Sequence, residues 1–339
     1  MPEQINPTQA VEFLSAAQDV LILTHSSPDG DTLGSAYALC RALQLLGKRA
    51  RVECSDPIDK KYQFLQNNIL SQEFAPQTVV AVDIADPRLL GDRLSVYADK
   101  VDLSIDHHCR RNLFARQTLV EPGAAAAAEI VLRVIEGLGV PPDRDIAACV
   151  YTAIATDTGC FKYSNTTAQS HRIAAKMMEQ GIDFAAINRE MFETKTLSRL
   201  ELERLALERL EFFFDARCAL ICITREMRQS SGASDADMEG ITGLPRQIEG
   251  VLAGVTMRER DDGIIRISVR TRDGVDASRI CAQMGGGGHK NAAGCQAEDG
   301  IESAKARIVD IIARELNAGA GSTRLQENQG AYNAGNHTN

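Results

Sequence analysis

Five carboxylates and three histidines stand where this sequence passes from apolar runs into loops: His25, Asp29 and Asp31 in His-Ser-Ser-Pro-Asp-Gly-Asp, Asp83 alone, Asp106-His107-His108 together, and Asp157 in Thr-Asp-Thr-Gly. Carboxylates gathered out of water are costly unless cations accompany them. Mixed oxygen and imidazole donors suit Mn²⁺ or a similar ion, and the set is too large for one metal. Two metals about 3.5–4 Å apart are the usual device for phosphoester hydrolysis. His25 and Asp29 lie on one loop and can share an ion. Asp31 suits the neighbouring ion, and Asp83 is placed to bridge the two. Asp106 better orients His107 than binds metal, since ligating histidines usually donate their second N–H to a carboxylate or carbonyl. His108 then faces a scissile phosphate as donor or acid. Each residue alone has a plainer reading, because a strand-end Asp is often a helix cap and paired histidines are common on surfaces. The ordered set points to a metal centre.

The elements that must position these groups alternate. Val20 to Thr24 reads as a buried strand running into the His25 loop, and Gly30 to Leu46 as the helix after it, closed by Gly47. Strands are expected at 50–54, 78–82, 101–105 and 118–120, with helical stretches at 60–66, 124–137 and 145–156. Alternation of this kind predicts a parallel sheet covered by helices, with ligands at the carboxyl ends of its strands. A further helix runs to Met178, capped by Thr166 or Thr167. After a leucine-rich helix near 197–210, strands are expected at 212–214, 219–223, 251–257 and 264–269, with helices at 276–283 and 301–316 on one side of that sheet. The expected fold class is α/β: an N-terminal parallel-sheet domain with helices on both faces and a smaller C-terminal α/β domain. The divisions are 1–195, a linker helix at 196–211, a second domain at 212–318, and a tail at 319–339 whose composition predicts disorder.

Composition narrows the partners. The formal charge of −9 over 339 residues argues against a long nucleic-acid partner, whose phosphates call for many Lys and Arg. It is compatible with a small anionic substrate held by a few placed cations. Nine scattered Cys without a CxxC pair read as reduced thiols, which places the protein in the cytoplasm. There is no secretory signal pattern and no apolar run of roughly 18 residues, so no membrane association is expected.

His25-x-x-Pro28-Asp29-Gly30-Asp31, Asp83, Asp106-His107-His108 and Asp157 resemble, in order and spacing, the four motifs of the DHH phosphoesterase superfamily. Gly285 to Gly288 followed by His289-Lys290-Asn291-Ala292-Ala293-Gly294 resembles the signature of the DHH-associated C-terminal domain. The pattern is closest to the short, two-domain nanoRNase/pAp phosphatase type and covers about residues 5–318. The resemblance implies one metal on His25, Asp29 and Asp83, and a second on Asp31, Asp83, His107 and Asp157. It implies that a bridging water, its pKa lowered by both cations, attacks phosphorus as hydroxide. Mn²⁺ is the implied ion, with Mg²⁺ and Co²⁺ also compatible.

The second domain is expected to hold the substrate. Gly286, Gly287 and Gly288 give a bare backbone that can approach a phosphate and offer N–H groups, and His289 can donate beside them. Arg270 ends a strand that resembles the family's substrate-binding strand, and its planar fork suits bidentate phosphate contact. Arg258, Arg266 and Arg279 are weaker candidates. Phe161 to Asn165, just after Asp157, is placed to line the site. Gly123 to Ala128 is unusually plain for a stretch beside a site, while Arg110 and Arg111 add cations near it. The expected activity is cleavage of very short RNA to mononucleotides, with removal of a phosphate from pAp (adenosine 3′,5′-bisphosphate). A cyclic or linear dinucleotide phosphodiesterase, a pyrophosphatase or exopolyphosphatase, and a non-catalytic nucleotide-binding module are the rivals. Oligomeric state stays open, a homodimer included.

Overall fold

The computed structural model describes residues 3–108, 113–238, 240–272 and 274–334. The chain divides into two units, Met1–Thr194 and Lys195–Asn339.

The first unit is built on a six-stranded sheet: β1 (Glu3–Ile5), β2 (Val20–Leu23), β3 (Ala50–Glu53), β4 (Thr78–Val82), β5 (Leu103–Asp106) and β6 (Gln117–Val120). Their order is β1-β6-β5-β4-β2-β3 and every pairing is parallel. Parallel strands need crossovers and are covered on both faces, which explains their continuous apolar sequences. On one face Val20, Ile22, Val80, Val82, Leu103 and Ile105 join a large core. It is packed by α1 (Pro7–Ala16) and α2 (Gly30–Leu45), then α4 (Ala127–Gly137), α5 (Arg144–Asp157), α6 (Ala168–Met178) and α7 (Phe184–Asn188). On the other face the alternate residues Leu21, Leu23, Val79 and Ala81 meet Leu90 and Leu94. The cover there is short: a turn of 3-10 helix at Pro87–Leu90, α3 (Gly91–Leu94) and another turn at Ser95–Tyr97.

Helices α2 and α5 lie unusually close. A Cβ on Gly30 would stand 2.2 Å from Thr156 Oγ1, and one on Gly34 would stand 2.4 Å from the Cys149 carbonyl oxygen. Glycine four apart on one helix face permits this approach. It sets the start of α2, with Asp29 and Asp31, against the end of α5, with Asp157.

The second unit has α8 (Leu197–Glu208), β7 (Glu211–Phe213), β8 (Cys218–Ile223), α9 (Arg225–Ser231), β9 (Ala253–Glu259), β10 (Ile265–Thr271), α10 (Ala277–Ala282), β11 (Gly287–His289), β12 (Ala292–Ala297) and α11 (Ile301–Ala334). Its sheet runs β11-β12-β10-β9-β8-β7 and is antiparallel except for β8 beside β9. Two expectations need correction. The sheet is covered on both faces: Leu220 and Cys222 pack in the core with α10 and α11, whereas Ile221 and Ile223 face Leu202, Ala206 and Met227 of α8 and α9. Within the stretch 196–211, expected as a linker helix, Leu202 and Ala206 are fully buried on this sheet. In addition α11 continues beyond residue 318, into the stretch expected to be disordered; its Ala, Leu, Glu and Gln are compatible with helix.

Candidate metal centre

The carboxyl ends of β2, β4 and β5 and the ends of α2 and α5 deliver the donors. Asp29 caps α2, its Oδ1 accepting from Asp31 N at 3.0 Å and Thr32 N at 3.1 Å. Asp31, one residue into that helix, is 1% exposed. Asp83 follows β4 with φ +59°, a conformation that non-glycine residues seldom hold and that marks functional sites when they do. Asp106 ends β5, His107 and His108 follow it, and Asp157 is the last residue of α5.

Donor atoms fall into groups whose members lie within 4.8 Å of one another: His25, Asp29 and Asp83; Asp31, His107 and Asp157; and Asp83, His107 and His108. His25 Nε2 stands 3.7 Å from Asp29 Oδ1 and 3.9 Å from Asp83 Oδ2. His107 Nε2 stands 3.5 Å from Asp83 Oδ1, 3.7 Å from Asp31 Oδ2 and 3.8 Å from Asp157 Oδ2. These separations are too long for hydrogen bonds. They fall inside the ~4.2 Å that two ligands at ~2.1 Å from a common ion can span. Asp83 turns one oxygen to each of the first two groups.

The second nitrogen of each ring fixes what the first can do. His25 Nδ1 lies 2.8 Å from the Ser26 carbonyl, and His107 Nδ1 lies 3.2 Å from the Ala124 carbonyl. A carbonyl can only accept, so Nδ1 is the donor in both rings, an arrangement that in a neutral imidazole leaves the Nε2 lone pair for an ion. Asp106 corrects an expectation. Its Oδ1 accepts from His107 N at 2.8 Å and His108 N at 3.1 Å, and lies 2.7 Å from His108 Nδ1. Its carboxylate therefore orients the His108 ring, while a backbone carbonyl orients that of His107. His108 Nδ1, the atom that lies 3.5 Å from Asp83 Oδ1, is thus taken up by the Asp106 carboxylate rather than turned to an ion.

The electrostatics call for cations. Burial, then the Asp157 charge, pushes the Asp31 carboxyl up to about 7. Burial, then Asp29, pushes Asp157 up to about 7. Asp83 is also raised, by burial and then by Asp31, Asp29, Asp106 and Asp157. Asp83 Oδ1 and Asp106 Oδ2 are buried without a hydrogen-bond partner among the described residues. Such orphans are costly, and for Asp83 a divalent ion is the natural partner. The hydrogen bond that His108 donates to Asp106 raises the pKa of its ring, so it holds a proton more readily than usual.

Some groups at the site were not expected from the sequence. Ala127 N donates to Asp31 Oδ2 at 2.6 Å, and Ala128 N and Ser35 Oγ donate to Oδ1 at 3.1 and 3.0 Å. Asp31 thus caps α4, whose own N-cap residue Ala126 makes no side-chain hydrogen bond. The plain alanine stretch works through its backbone, which residue types do not reveal.

In the second unit, Gly287, Gly288 and His289 form β11 rather than an open loop. A Cβ on Gly286 would stand 2.2 Å from the Gly294 carbonyl, and one on Gly288 would stand 2.6 Å from Ala293 Cα. Those two glycines are thus required by the close approach of β12, whereas Gly287 faces open space. Arg270 pairs with Ala292, and Ala292 pairs with His289. Directly opposed residues share a face, so Arg270 and His289 lie in one row about two strand spacings, roughly 10 Å, apart. Arg258 pairs with Asp235, and Arg279 lies 3.7 Å from Glu315. His171 is exposed and stacks on Phe161 at 5.0 Å. Arg110 and Arg111 lie outside the described residues.

Residues 19–154 match the DHH family N-terminal domain, and residues 220–318 match the DHHA1 domain. The bifunctional oligoribonuclease and PAP phosphatase NrnA of Thermus thermophilus is 33% identical over 316 residues, covering 90% of this chain and 93% of that one. The protein of the same name from Bacillus subtilis is 22% identical, covering 85% and 92%. The crystal structure of an exopolyphosphatase-related protein from Bacteroides fragilis superposes with a TM-score of 0.81 at 25% identity, covering 92% of this chain and 95% of that one. The chain belongs to the DHH family, its DHH domain followed by a DHHA1 domain.

Proposed function

We propose that this protein hydrolyses very short oligoribonucleotides to mononucleotides and converts pAp to AMP, using two divalent cations, Mn²⁺ in preference to Mg²⁺ or Co²⁺. The observation that carries this reading is Asp83, buried, with one oxygen toward the His25 group and the other toward the His107 group. The relatives' activities supply the substrate class.

Two cations bound at such a centre supply a water of lowered pKa and positive charge for the phosphoryl oxygens. The chain's residues do the rest. His25, Asp29 and Asp83 hold one ion; Asp31, His107 and Asp157 hold the other together with Asp83. Asp106 keeps the His108 ring in place and protonated, so that it donates to a phosphate oxygen or to the leaving group. Arg270, His289 and the backbone of Gly286, Gly287 and Gly288 bind substrate phosphate; the sheet face shared by Arg270 and His289 supports that assignment. We place the activity in the cytoplasm. All cysteines among the described residues are free, and no helix among those residues is long and apolar enough to cross a membrane.

The test is turnover with Mn²⁺ of five substrates taken separately: a 5′-labelled RNA dimer, a 24-mer, pAp, cyclic di-AMP and pyrophosphate. Rapid loss of the dimer and pAp, with the 24-mer slow, supports the reading. Preferential loss of cyclic di-AMP or pyrophosphate would assign the same centre to a different phosphoester or phosphoanhydride.

A further inference from the structure

Three main-chain groups from one short stretch reach two of the three donors of the second metal group. The Ala124 carbonyl accepts from His107 Nδ1, and Ala127 N and Ala128 N donate to Asp31. The third donor, Asp157, is reached only through a side chain. Asn165 Nδ2 donates to the Ala125 carbonyl at 3.1 Å, to the Asp157 carbonyl at 3.2 Å and to Asp157 Oδ2 at 3.3 Å.

The turn that returns the chain to this place is an unusual one. Gly159, Cys160 and Phe161 have φ of +56°, +58° and +61°. Consecutive left-handed residues are unfavourable for L-amino acids and persist where the surroundings impose them. Lys162 N and Tyr163 N both donate to the Thr158 carbonyl, closing the turn. Six residues after it begins to reverse, Asn165 is back beside Asp157. The chain accepts local strain, and the polar contact that follows is this amide.

We propose that Asn165 is a positioning residue for the second metal group. It completes a frame, otherwise made of the main chain of 124–128 and the Ser35 hydroxyl, that sets Asp31, His107 and Asp157 around one ion. An Asn amide suits the task because it donates two hydrogens and adds no charge to a cluster already rich in carboxylates. Asn165 is exposed, so replacing it leaves the apolar core intact. The proposal rests on the two-metal reading above and extends it to a residue outside the ligand set.

The experiment is calorimetric titration of the metal-free protein with Mn²⁺, paired with the EPR spectrum of the resulting Mn²⁺ pair. The variants are Asn165→Ala and the isosteric Asn165→Asp, which cannot donate. Asn6→Ala, which removes the N-cap of α1, a residue outside the donor groups, is the control for simple loss of stability. In both Asn165 variants the second ion should bind about 10-fold or more weaker, the first should keep its affinity, and the spin-coupled signal should appear only at higher Mn²⁺. Wild-type isotherms for both variants would overturn the proposal. So would equal weakening of both ions, or a loss matched by Asn6→Ala, since either marks a general structural role. If the wild-type protein itself binds fewer than two ions, the two-metal reading fails and takes this inference with it.

Discussion

Without metal, this protein should become less stable as pH rises from about 4 to about 7, and replacing Asp31 with Asn should cancel much of that loss. The Asp31 carboxyl is almost fully buried and is pushed from 3.8 up to about 7 by burial and by Asp157. A group raised above its unfolded value stabilises the fold below the unfolded pKa and withdraws that contribution as pH rises through the folded one. Ionising Asp31 in the metal-free fold therefore costs on the order of 4 kcal/mol. Asp157 ionises against the same charges, so the two costs do not add. Asp31→Asn removes the charge but keeps one oxygen for Ala127 N or Ala128 N, at a loss of about 1 kcal/mol for the other bond. The charge term is the larger, so metal-free Asp31→Asn should be more stable than wild type by about 2–3 kcal/mol at pH 8. The two should converge, or reverse, near pH 4. Saturating Mn²⁺ should remove the advantage, because binding stabilises the wild-type fold and the variant lacks a ligand. Urea denaturation across pH, with chelator and with Mn²⁺, measures this directly. A metal-free variant less stable than wild type at pH 8 would refute the electrostatic reasoning.

Further outcomes follow from single contacts. Gly34→Ala should destabilise by about 1–3 kcal/mol, because its Cβ would meet the Cys149 carbonyl and Ala153 Cβ at 2.4 and 2.9 Å; an unchanged urea midpoint would contradict that packing. Asp106→Asn should lower kcat by about 10²–10⁴-fold with the metal count intact, whereas loss of an ion would make Asp106 a ligand. Arg270→Ala should raise KM by about 10-fold or more with little change in kcat, as expected for a charged contact to substrate phosphate; a fall in kcat alone would place it elsewhere in the mechanism.

The donors could be read from the sequence because their chemistry lies in residue type and their positions in strand ends. Asp29, Asp83 and Asp106 each follow or close an apolar run, and the parallel sheet gathers such ends on one edge. The partner of Asp106 could not be read, since it depends on which histidine ring turns back toward the carboxylate. The role of Ala124 to Ala128 was hidden for a different reason: its contribution is made by main-chain groups that any residue carries. Gly286 and Gly288 look like a ligand loop in sequence, but the structure gives them a packing reason against β12. The first helix was legible and overlooked: Asn6, Pro7 and Gln9 form a capping box with Pro at its start. Strand β1 is three residues on a sheet edge, too short for a periodic signal. The second face of the second sheet was missed because the leucines of α8 spread around the wheel, and only packing shows that Leu202 and Ala206 are buried while Leu197 is exposed.

The most direct test of the account is anomalous diffraction at the manganese absorption edge from crystals grown with Mn²⁺. The account predicts two peaks about 3.5–4 Å apart with Asp83 between them, one beside His25 and Asp29, the other beside Asp31, His107 and Asp157. A single peak, or two peaks that do not share Asp83, would contradict it.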